Sequence, residues 1–212
     1  HYTPDNLQDD YLATFSSAGP TLEGFVKPEV TAPGGHIMGQ MQLDTYIATE
    51  HPEFHDGYQY FLMSGTSQAA AITSGVVALM LQEHPELTND DVKCRLMSAA
   101  HAAVKPDGSL AYSPFQQGAG LINAWDAVHS TASGCANQGT NIALDLAGTE
   151  HYGGPARPNG DGGFALSSTE GYIWNLSDQA DASGYIWNLN GVGNQGYIWN
   201  LGYIWNLAAL EQ

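Results

Sequence analysis

A long apolar stretch directly behind a Ser-Gly-Thr-Ser sequence constrains this chain more than any other feature. Residues 66–83 (TSQAAAITSGVVALMLQE) are rich in Ala, Val, Leu and Met, and Pro85 follows them. This composition predicts a helix that ends before the proline. Because its residues are small or apolar on every side, we expect the helix to be buried and central. A buried helix needs a sheet or other helices to pack against, so a layered fold is expected.

Ser67 lies at the start of this predicted helix, where a serine has two common roles. It can cap the helix N-terminus, which is a structural role. It can also be a nucleophile, because its own backbone N–H lies at the positive end of the helix, where it can stabilise an oxyanion. The flanking sequence has to decide between these two interpretations.

The sequence on the N-terminal side of this helix predicts loops and short strands. Residues 15–37 are dense in Gly, Pro and Ser, and we expect loops there, with at most a short strand at residues 30–32. Residues 38–63 predict one or two short strands with an acidic loop at residues 51–56 between them. This region therefore contributes only a few strands to any sheet.

Two more helices are predicted on the C-terminal side. Residues 87–101 (LTNDDVKCRLMSAAH) predict a helix with Thr88 as its cap and Asp91 as the partner in a capping box. Residues 121–129 (LINAWDAVH) predict another. Beyond about residue 133 the composition shifts to Gly, Asn, Asp and Ser, which indicates a domain boundary between residues 1–132 and 133–212.

Net charge excludes two classes of partner. The chain has 5 Lys plus Arg against 22 Asp plus Glu, a formal net charge of −17. Nucleic acids and anionic membrane surfaces would be repelled, so neither is an expected partner. No uninterrupted apolar run reaches the length of a membrane span. Such acidity favours an extracellular protein.

The two cysteines, Cys94 and Cys135, are too few for a disulfide framework and do not have metal-ligand spacing. They could form a single disulfide in a secreted protein or remain as two buried thiols, and the sequence favours neither. No metal site is predicted. Residues 156–163 (ARPNGDGG) have too few carboxylates for a calcium loop, so a plain turn is the better interpretation.

Three ordered blocks of the chain resemble the subtilisin-like serine peptidases, the subtilases. These blocks are FSSAGPTLEGFVKPEVTAPGG at 15–35, SGTSQAAA and the sequence after it at 64–100, and GAGLINAWDAV at 118–128. The resemblance implies an α/β fold, a mostly parallel sheet sandwiched by helices. This chain would supply the C-terminal part of that fold, followed by a β-rich or irregular extension. Gln68 stands where many relatives carry methionine, which indicates a branch of the family.

The same resemblance implies a serine endopeptidase that cleaves protein or peptide substrates with Ser67 as its nucleophile. Thr66 would support the oxyanion site. Ser64 and Tyr60 precede the nucleophile closely enough to contact substrate. The activity implied requires no cofactor and is compatible with structural calcium. Because of this resemblance, we favour the interpretation of Ser67 as a nucleophile over its interpretation as a helix cap.

The upstream part of the catalytic machinery is not recognisable. In this family the triad follows the chain order Asp, His, Ser. None of the histidines before Ser67 lies in the family's His-Gly-Thr setting; they are His1, His36, His51 and His55. We therefore expect this chain to be the C-terminal half of the catalytic domain, with the base, its carboxylate and the oxyanion asparagine on another segment.

Three explanations fit such a half-domain. The enzyme is nicked by autoprocessing, with its N-terminal half present as a second, non-covalently bound chain; or the chain is a cloned fragment; or it is an inactive relative that only binds. The predicted helix at residues 66–83 favours the first, because it needs a parallel sheet and this chain supplies too few strands.

The hexapeptide GYIWNL is repeated in the C-terminal part of the chain, at 171–176, 184–189, 196–201 and 202–207. Its irregular spacing excludes a solenoid or propeller, and its alternation predicts short strands. The repeats could cover the peptidase body, bind carbohydrate through their aromatic rings, or add strands to an exposed sheet edge. The alternative function is therefore a non-catalytic binding protein that uses these repeats on a carbohydrate or protein surface.

Overall fold

The computed structural model describes residues 10–137 and 140–166. Its elements in chain order are β1 (Ile37–Gln40), α1 (Tyr46–Glu50), a 3-10 turn (Pro52–Phe54), β2 (Tyr60–Met63), α2 (Thr66–Glu83), α3 (Asn89–Ser98), α4 (Pro114–Gln117), α5 (Ala124–His129), α6 (Ile142–Leu146), β3 (Ala156–Pro158) and β4 (Phe164–Leu166). The GYIWNL repeats lie outside the described residues, so what the sequence predicts for them stays a prediction.

Two small antiparallel sheets are present. β1 pairs with β2, with Ile37 opposite Met63 and Gln40 opposite Tyr60. β3 pairs with β4 in the same orientation. The first sheet confirms the short strands predicted within residues 38–63, and the acidic segment between them contains α1 and the 3-10 turn.

Parallel pairing occurs at one point within the described ranges. The Thr31 N–H donates to the Gly120 carbonyl at 2.8 Å, and the Ile122 N–H donates to the Thr31 carbonyl at 2.9 Å. These bonds form a parallel bridge between Thr31 and Leu121, at the position of the strand expected at residues 30–32. A mostly parallel sheet is not seen in these ranges and stays a prediction.

Helix α2 has the predicted bounds but not the predicted burial. It runs from Thr66 to Glu83, and among its residues only Val76 and Met80 are buried. Leu79 and Leu81 are 52% and 39% exposed. The expectation of a buried central helix is wrong for the described part of the chain. The described residues that pack on α2 cover mainly the side that faces α3 and α5.

Side-chain caps set the starts of helices α3 and α5. At α3 the Thr88 hydroxyl accepts the Asp91 N–H at 3.1 Å, and the Asp91 carboxylate accepts the Thr88 N–H at 3.2 Å. This capping box is the predicted one. Helix α5 begins at Ala124 rather than at residue 121, because Leu121 is held in β-bridges and Asn123 provides the cap.

Two apolar clusters form the core around these helices. The first joins α2, α3 and α5 through Val76, Met80, Val92, Leu96 and Ala127. The second consists of Val26, Met97, Phe115, Ala119 and Ala156, with Phe164 and Leu166 packed against it. Residues after 133, which the sequence assigns to the extension, therefore contribute to the second cluster. No helix within residues 10–137 and 140–166 is long and apolar enough to cross a bilayer.

A disulfide fastens α3 to the segment that follows α5. Cys94, which is fully buried, is joined to Cys135, with their Cα atoms 5.2 Å apart. Hydrogen bonds reinforce this connection, because the Lys93 ammonium donates to Asn137 Oδ1 at 2.9 Å and Asn137 Nδ2 donates to Asp90 Oδ1 at 2.6 Å. The structure thus shows the disulfide, one of the two alternatives that the sequence leaves open.

Candidate active site

Ser67 lies where strand β2 turns into helix α2. The strand ends at Met63, Gly65 is the N-cap, and Ser67 is the second residue of the helix, exposed to solvent. Within the described part of the chain neither its hydroxyl nor its N–H makes a hydrogen bond. The N–H is one of the first four of the helix, which have no carbonyl partner inside it. A hydroxyl group and a backbone hydrogen-bond donor are therefore both available to a ligand.

The loop before β1 holds this turn in place. The Gly65 N–H donates to the Gly34 carbonyl at 2.8 Å, and the His36 N–H donates to the Ser64 hydroxyl at 2.8 Å. A Cβ on Gly34 would lie 2.8 Å from the Gly65 carbonyl oxygen and 3.2 Å from the Ala69 Cβ, so glycine is required there. This contact was not predicted from the sequence, although the Gly-Gly pair after Pro33 was the available signal.

The other predicted site residues precede Ser67 in the chain. Thr66 is exposed, and its side chain makes no hydrogen bond to the described residues. Ser64 is partly buried, and its hydroxyl accepts the His36 N–H. Tyr60 is 42% exposed on strand β2. Thr66 and Ser64 thus lie in the turn that leads to Ser67, and Tyr60 begins the strand before it. Their roles in oxyanion support and substrate contact stay predictions.

Gln68 bridges the turn from the helix side. Its Nε2 donates to the Met63 sulfur at 3.7 Å, which links the end of β2 to the first turn of α2. Its Oε1 would lie 2.7 Å from a Cβ on Gly65, so the side chain passes directly over the N-cap. Gln68 therefore supports the position of Ser67 in the conformation seen here.

No described histidine acts on Ser67. His55 has a side chain that is 1% exposed; its Nδ1 accepts the Gly57 N–H at 3.0 Å, and its Nε2 donates to the Met41 carbonyl at 2.8 Å. His51 lies 3.4 Å from Glu53. His36 is exposed and makes no side-chain hydrogen bond within residues 10–137 and 140–166. None of these three histidines is hydrogen-bonded to Ser67 in the described part of the chain.

Two clefts in the described part of the chain do not include Ser67. One of about 220 Å³ lies between Val30 and helix α3, and one of about 320 Å³ lies between Gly24 and strand β3. Ser67 lines neither. Ser67 is thus exposed and lies outside both clefts.

Metal-binding residues are not grouped in the described ranges. No set of three or more His, Cys, Asp or Glu is placed to hold an ion there. In the loop at residues 156–163, the Asn159 Oδ1 accepts the N–H groups of Asp161 and Gly163 at 3.0 Å each. These bonds make the loop the turn of the β3–β4 hairpin, as the sequence indicates.

The site can now be compared with known proteins. Residues 5–120, more than half of the chain, match the sequence model of the Subtilase family. The chain belongs to the subtilase family. This confirms the resemblance seen in the sequence and implies an α/β fold.

Relatives of this subtilase chain occur in several organisms. It is 40% identical over 120 residues to serine protease AprX of Bacillus subtilis, an alignment that covers 57% of the chain and 26% of that protein. It is 31% identical over 128 residues to C5a peptidase of Streptococcus pyogenes, covering 57% and 10%. With subtilisin-like protease SBT3.9 of Arabidopsis thaliana it shares 33% over 128 residues, covering 55% and 16%. The chain therefore spans about a quarter or less of these relatives' lengths.

Proposed function

We propose that this chain carries the nucleophile of a serine endopeptidase that cleaves proteins or peptides. The observation that carries the proposal is the exposed Ser67 at the N-terminus of α2, with its hydroxyl and N–H both unengaged among the described residues. Membership of the subtilase family supports it, as do relatives named as a serine protease and a peptidase.

In the proposed reaction, Ser67 Oγ attacks the carbonyl carbon of the scissile peptide bond. A histidine takes the hydroxyl proton and later gives it to the leaving amine, while an acyl-enzyme forms and is then hydrolysed. The Ser67 N–H, at the positive end of α2, stabilises the negative charge on the carbonyl oxygen. Thr66, adjacent in the first helical turn, is proposed to support the same oxygen through its hydroxyl.

We propose further that the histidine and its aspartate lie on an N-terminal half present as a second chain, produced by autoprocessing. Two observations support this arrangement. The described histidines make no hydrogen bond to Ser67, and α2 presents Leu79 and Leu81 to solvent. These two leucines are available for contact with another polypeptide. We place the enzyme outside the cell, where the disulfide between Cys94 and Cys135 would persist.

Labelling with a fluorophosphonate tests the nucleophile. In the native preparation, with any bound second chain retained, we expect the label on Ser67 by peptide mapping and its loss in Ser67→Ala. Ser74→Ala is the matched control, because Ser74 is an exposed serine of the same helix whose hydroxyl donates to the Ala70 carbonyl. A preparation that hydrolyses peptides without labelling at Ser67 would refute the proposal.

An intact-mass spectrum of the same preparation tests the second chain. We expect a further polypeptide that contains a His-Gly-Thr sequence and co-purifies with the labelled chain. A preparation that is active and labelled, yet contains this polypeptide alone with no additional chain, would contradict the two-chain arrangement and leave the nucleophile assignment intact.

A further inference from the structure

The β3–β4 hairpin has one closed edge and one open edge. On the β3 side, the Gly154 N–H donates to the Glu23 carbonyl at 2.7 Å, and the Ala156 N–H donates to the Gly24 carbonyl at 3.0 Å. On the β4 side, no further strand pairs with Phe164–Leu166 within residues 10–137 and 140–166. The edge of β4 is therefore open in this part of the chain.

The pairing pattern determines which backbone groups of β4 face the open edge. Hydrogen-bonded and non-hydrogen-bonded pairs alternate along an antiparallel ladder. The Asn159 N–H donates to the Gly163 carbonyl at 3.0 Å, which marks these two residues as a hydrogen-bonded pair. Phe164 and Leu166, one and three residues after Gly163, therefore lie in non-hydrogen-bonded pairs, and their N–H and C=O groups point away from β3. Ala156, which pairs with Leu166, agrees with this pattern, because its own N–H bonds to the loop on the far side.

Strand β4 is fixed in place by its inner side chains. Phe164 and Leu166 are partly buried and pack against the second apolar cluster. Ala165 lies between them, so its side chain points to the other face of the hairpin. A strand held in this way presents its free N–H and C=O groups in a regular row. Such an edge can bind an extended peptide, which is added to the sheet as a further strand.

The chain continues from this strand into the first GYIWNL copy. Strand β4 ends at Leu166, residues 167–171 (SSTEG) follow, and residues 172–176 (YIWNL) come next. Both segments lie outside the described residues. A five-residue connection that contains glycine is typical of a β-hairpin. Because the connection is so short, it keeps this copy at high effective concentration beside β4. The nearest strand-forming sequence for the open edge is therefore the chain's own.

The apolar pattern of this copy selects one register for the pairing. A five-residue connection brings Tyr172 opposite Leu166 and Trp174 opposite Phe164, on the face that packs against the second apolar cluster. Ile173 is then opposite Ala165 on the other face. A shift by one residue would turn both aromatic rings away from the cluster. The connection length and the hydrophobic pattern therefore favour the same register.

We propose that the open edge of β4 is a docking site for residues 172–176 of the same chain, which add a third antiparallel strand to the β3–β4 hairpin. The Leu166 N–H donates to the Tyr172 carbonyl, the Phe164 N–H donates to the Trp174 carbonyl, and the two rings extend the second apolar cluster. Of the roles that the sequence leaves open for the repeats, strand addition is thus assigned to the first copy. This inference does not depend on the proposed endopeptidase function.

Disulfide cross-linking of the full chain tests the register. In Ala165→Cys/Ile173→Cys the two cysteines occupy a non-hydrogen-bonded pair, whose Cα atoms lie about 4.5 Å apart, within the range that a disulfide spans. We expect mild oxidation to join them within one molecule, as shown by peptide mapping of the monomer. Ala165→Cys/Tyr172→Cys is the control, because Tyr172 faces the opposite side of the sheet and should not be joined. Cross-linking of the control in place of the first variant would contradict the proposed register.

A second pair of cysteines tests which copy docks on β4. Ala165→Cys/Ile186→Cys puts the same substitution into the second GYIWNL copy, residues 184–189, and should give no cross-link. If Ile186→Cys is joined as readily as Ile173→Cys, the occupant is not specifically the first copy and the proposal is overturned. A dimer joined through these cysteines would show that a second molecule supplies the strand, which overturns it as well.

Amide hydrogen exchange tests the backbone bonds without new cysteines. The Phe164 and Leu166 amides should exchange about tenfold faster in Tyr172→Asp/Trp174→Asp than in the wild-type protein, because the third strand no longer protects them. The matched control, Tyr185→Asp/Trp187→Asp, makes the same change in the second copy and should retain the protection. The Met80 amide in α2 should stay protected in both variants, which shows that the core remains folded.

Two results of this exchange experiment would refute the docking site. One is rapid exchange of the Phe164 and Leu166 amides in the wild-type protein itself, which would mean that no strand covers the open edge. The other is an equal loss of protection in the two variants, which would mean that the first copy has no special place on β4.

Discussion

The two ends of helix α2 lie in different environments. Its C-terminal half packs Val76 and Met80 against α3 and α5, whereas its N-terminus holds Ser67 in the open. The packed end belongs to a core that this chain builds for itself. The open end holds Ser67, the proposed nucleophile, which makes no hydrogen bond to the described residues. Stability and the proposed chemistry therefore depend on different parts of the same helix.

The packed region also extends beyond the family match. The match ends at residue 120, but Ala156, Phe164 and Leu166 join the second apolar cluster. Gly154 lies so close to Gly24 that a Cβ on it would be 2.1 Å from the Gly24 carbonyl oxygen. The C-terminal segment therefore packs closely against the loop before β1. The packed region is thus defined by contacts in the fold and not by position in the chain.

The largest test of the packed region is removal of its disulfide. Cys94 and Cys135 are separated by 41 residues, and closing a loop of that length restricts the unfolded chain by about 4 kcal/mol. We expect Cys135→Ala to lower the free energy of unfolding by about that amount in urea denaturation. Reduction of the wild-type protein should have a similar effect and should leave Cys135→Ala unchanged. A loss from reduction in the variant as well would show a different cause.

Two neighbouring residues on α2 test the difference between its packed side and its open side. Met80 is fully buried and Leu79 is 52% exposed. Met80→Ala should destabilise the protein by about 3 kcal/mol, because it removes packed methylenes and leaves a cavity. Leu79→Ala should change stability by about 0.5 kcal/mol or less, as exposed substitutions do.

Binding of the proposed second chain should change the effect of Leu79→Ala. If the second chain covers Leu79, as the proposed two-chain enzyme implies, Leu79→Ala should weaken binding of that chain while leaving unfolding of the separated chain unchanged. Urea denaturation with and without the second chain measures both. An equal effect of the two variants on the separated chain would remove the distinction between a packed and an open side of α2.

The sequence was sufficient where local signals decide the structure. Composition and Pro85 predicted the bounds of α2, and the pair Thr88 and Asp91 predicted the capping box. The family resemblance selected Ser67, and its exposed position at a helix start is what that role requires. These features depend on residues near one another in the chain, so they can be read without a fold.

Features that depend on distant residues were not predictable in the same way. The burial of α2 depends on which partners are present, and periodicity alone cannot supply them. The start of α5 was predicted too early because Leu121 pairs with Thr31, a partner far away in the chain. The bond between the His36 N–H and Ser64 was missed for the same reason, since only the folded chain brings the two together.

The cap of α3 offers a smaller test of the packed region. Thr88→Ala removes the hydroxyl that accepts the Asp91 N–H and should destabilise the protein by about 1 kcal/mol. Thr88→Ser retains an oxygen at this position and should recover most of the loss. Urea denaturation measures both variants. A serine variant as unstable as the alanine variant would mean that the threonine methyl, and not the cap, provides the stability.

The smallest expected effect comes from Glu29, which lies beside α3. Burial opposes ionisation of this carboxyl, but hydrogen bonds and attraction from Lys27 and Lys93 outweigh it, so the pKa of Glu29 is lowered. Because the folded pKa is below the unfolded value of about 4.3, the contribution to stability is full above that pH. It is lost as pH falls through the folded pKa.

Glu29→Gln should therefore destabilise the protein near neutral pH by about 1 kcal/mol or less, the range of partly exposed ion pairs, and the difference from wild type should vanish in acid. Glu86→Gln is the control, since Glu86 is 70% exposed and approaches only His84. Unfolding free energies across the acid range measure both. A Glu29→Gln effect that persists unchanged below the folded pKa would place its cause in packing beside α3 rather than in charge.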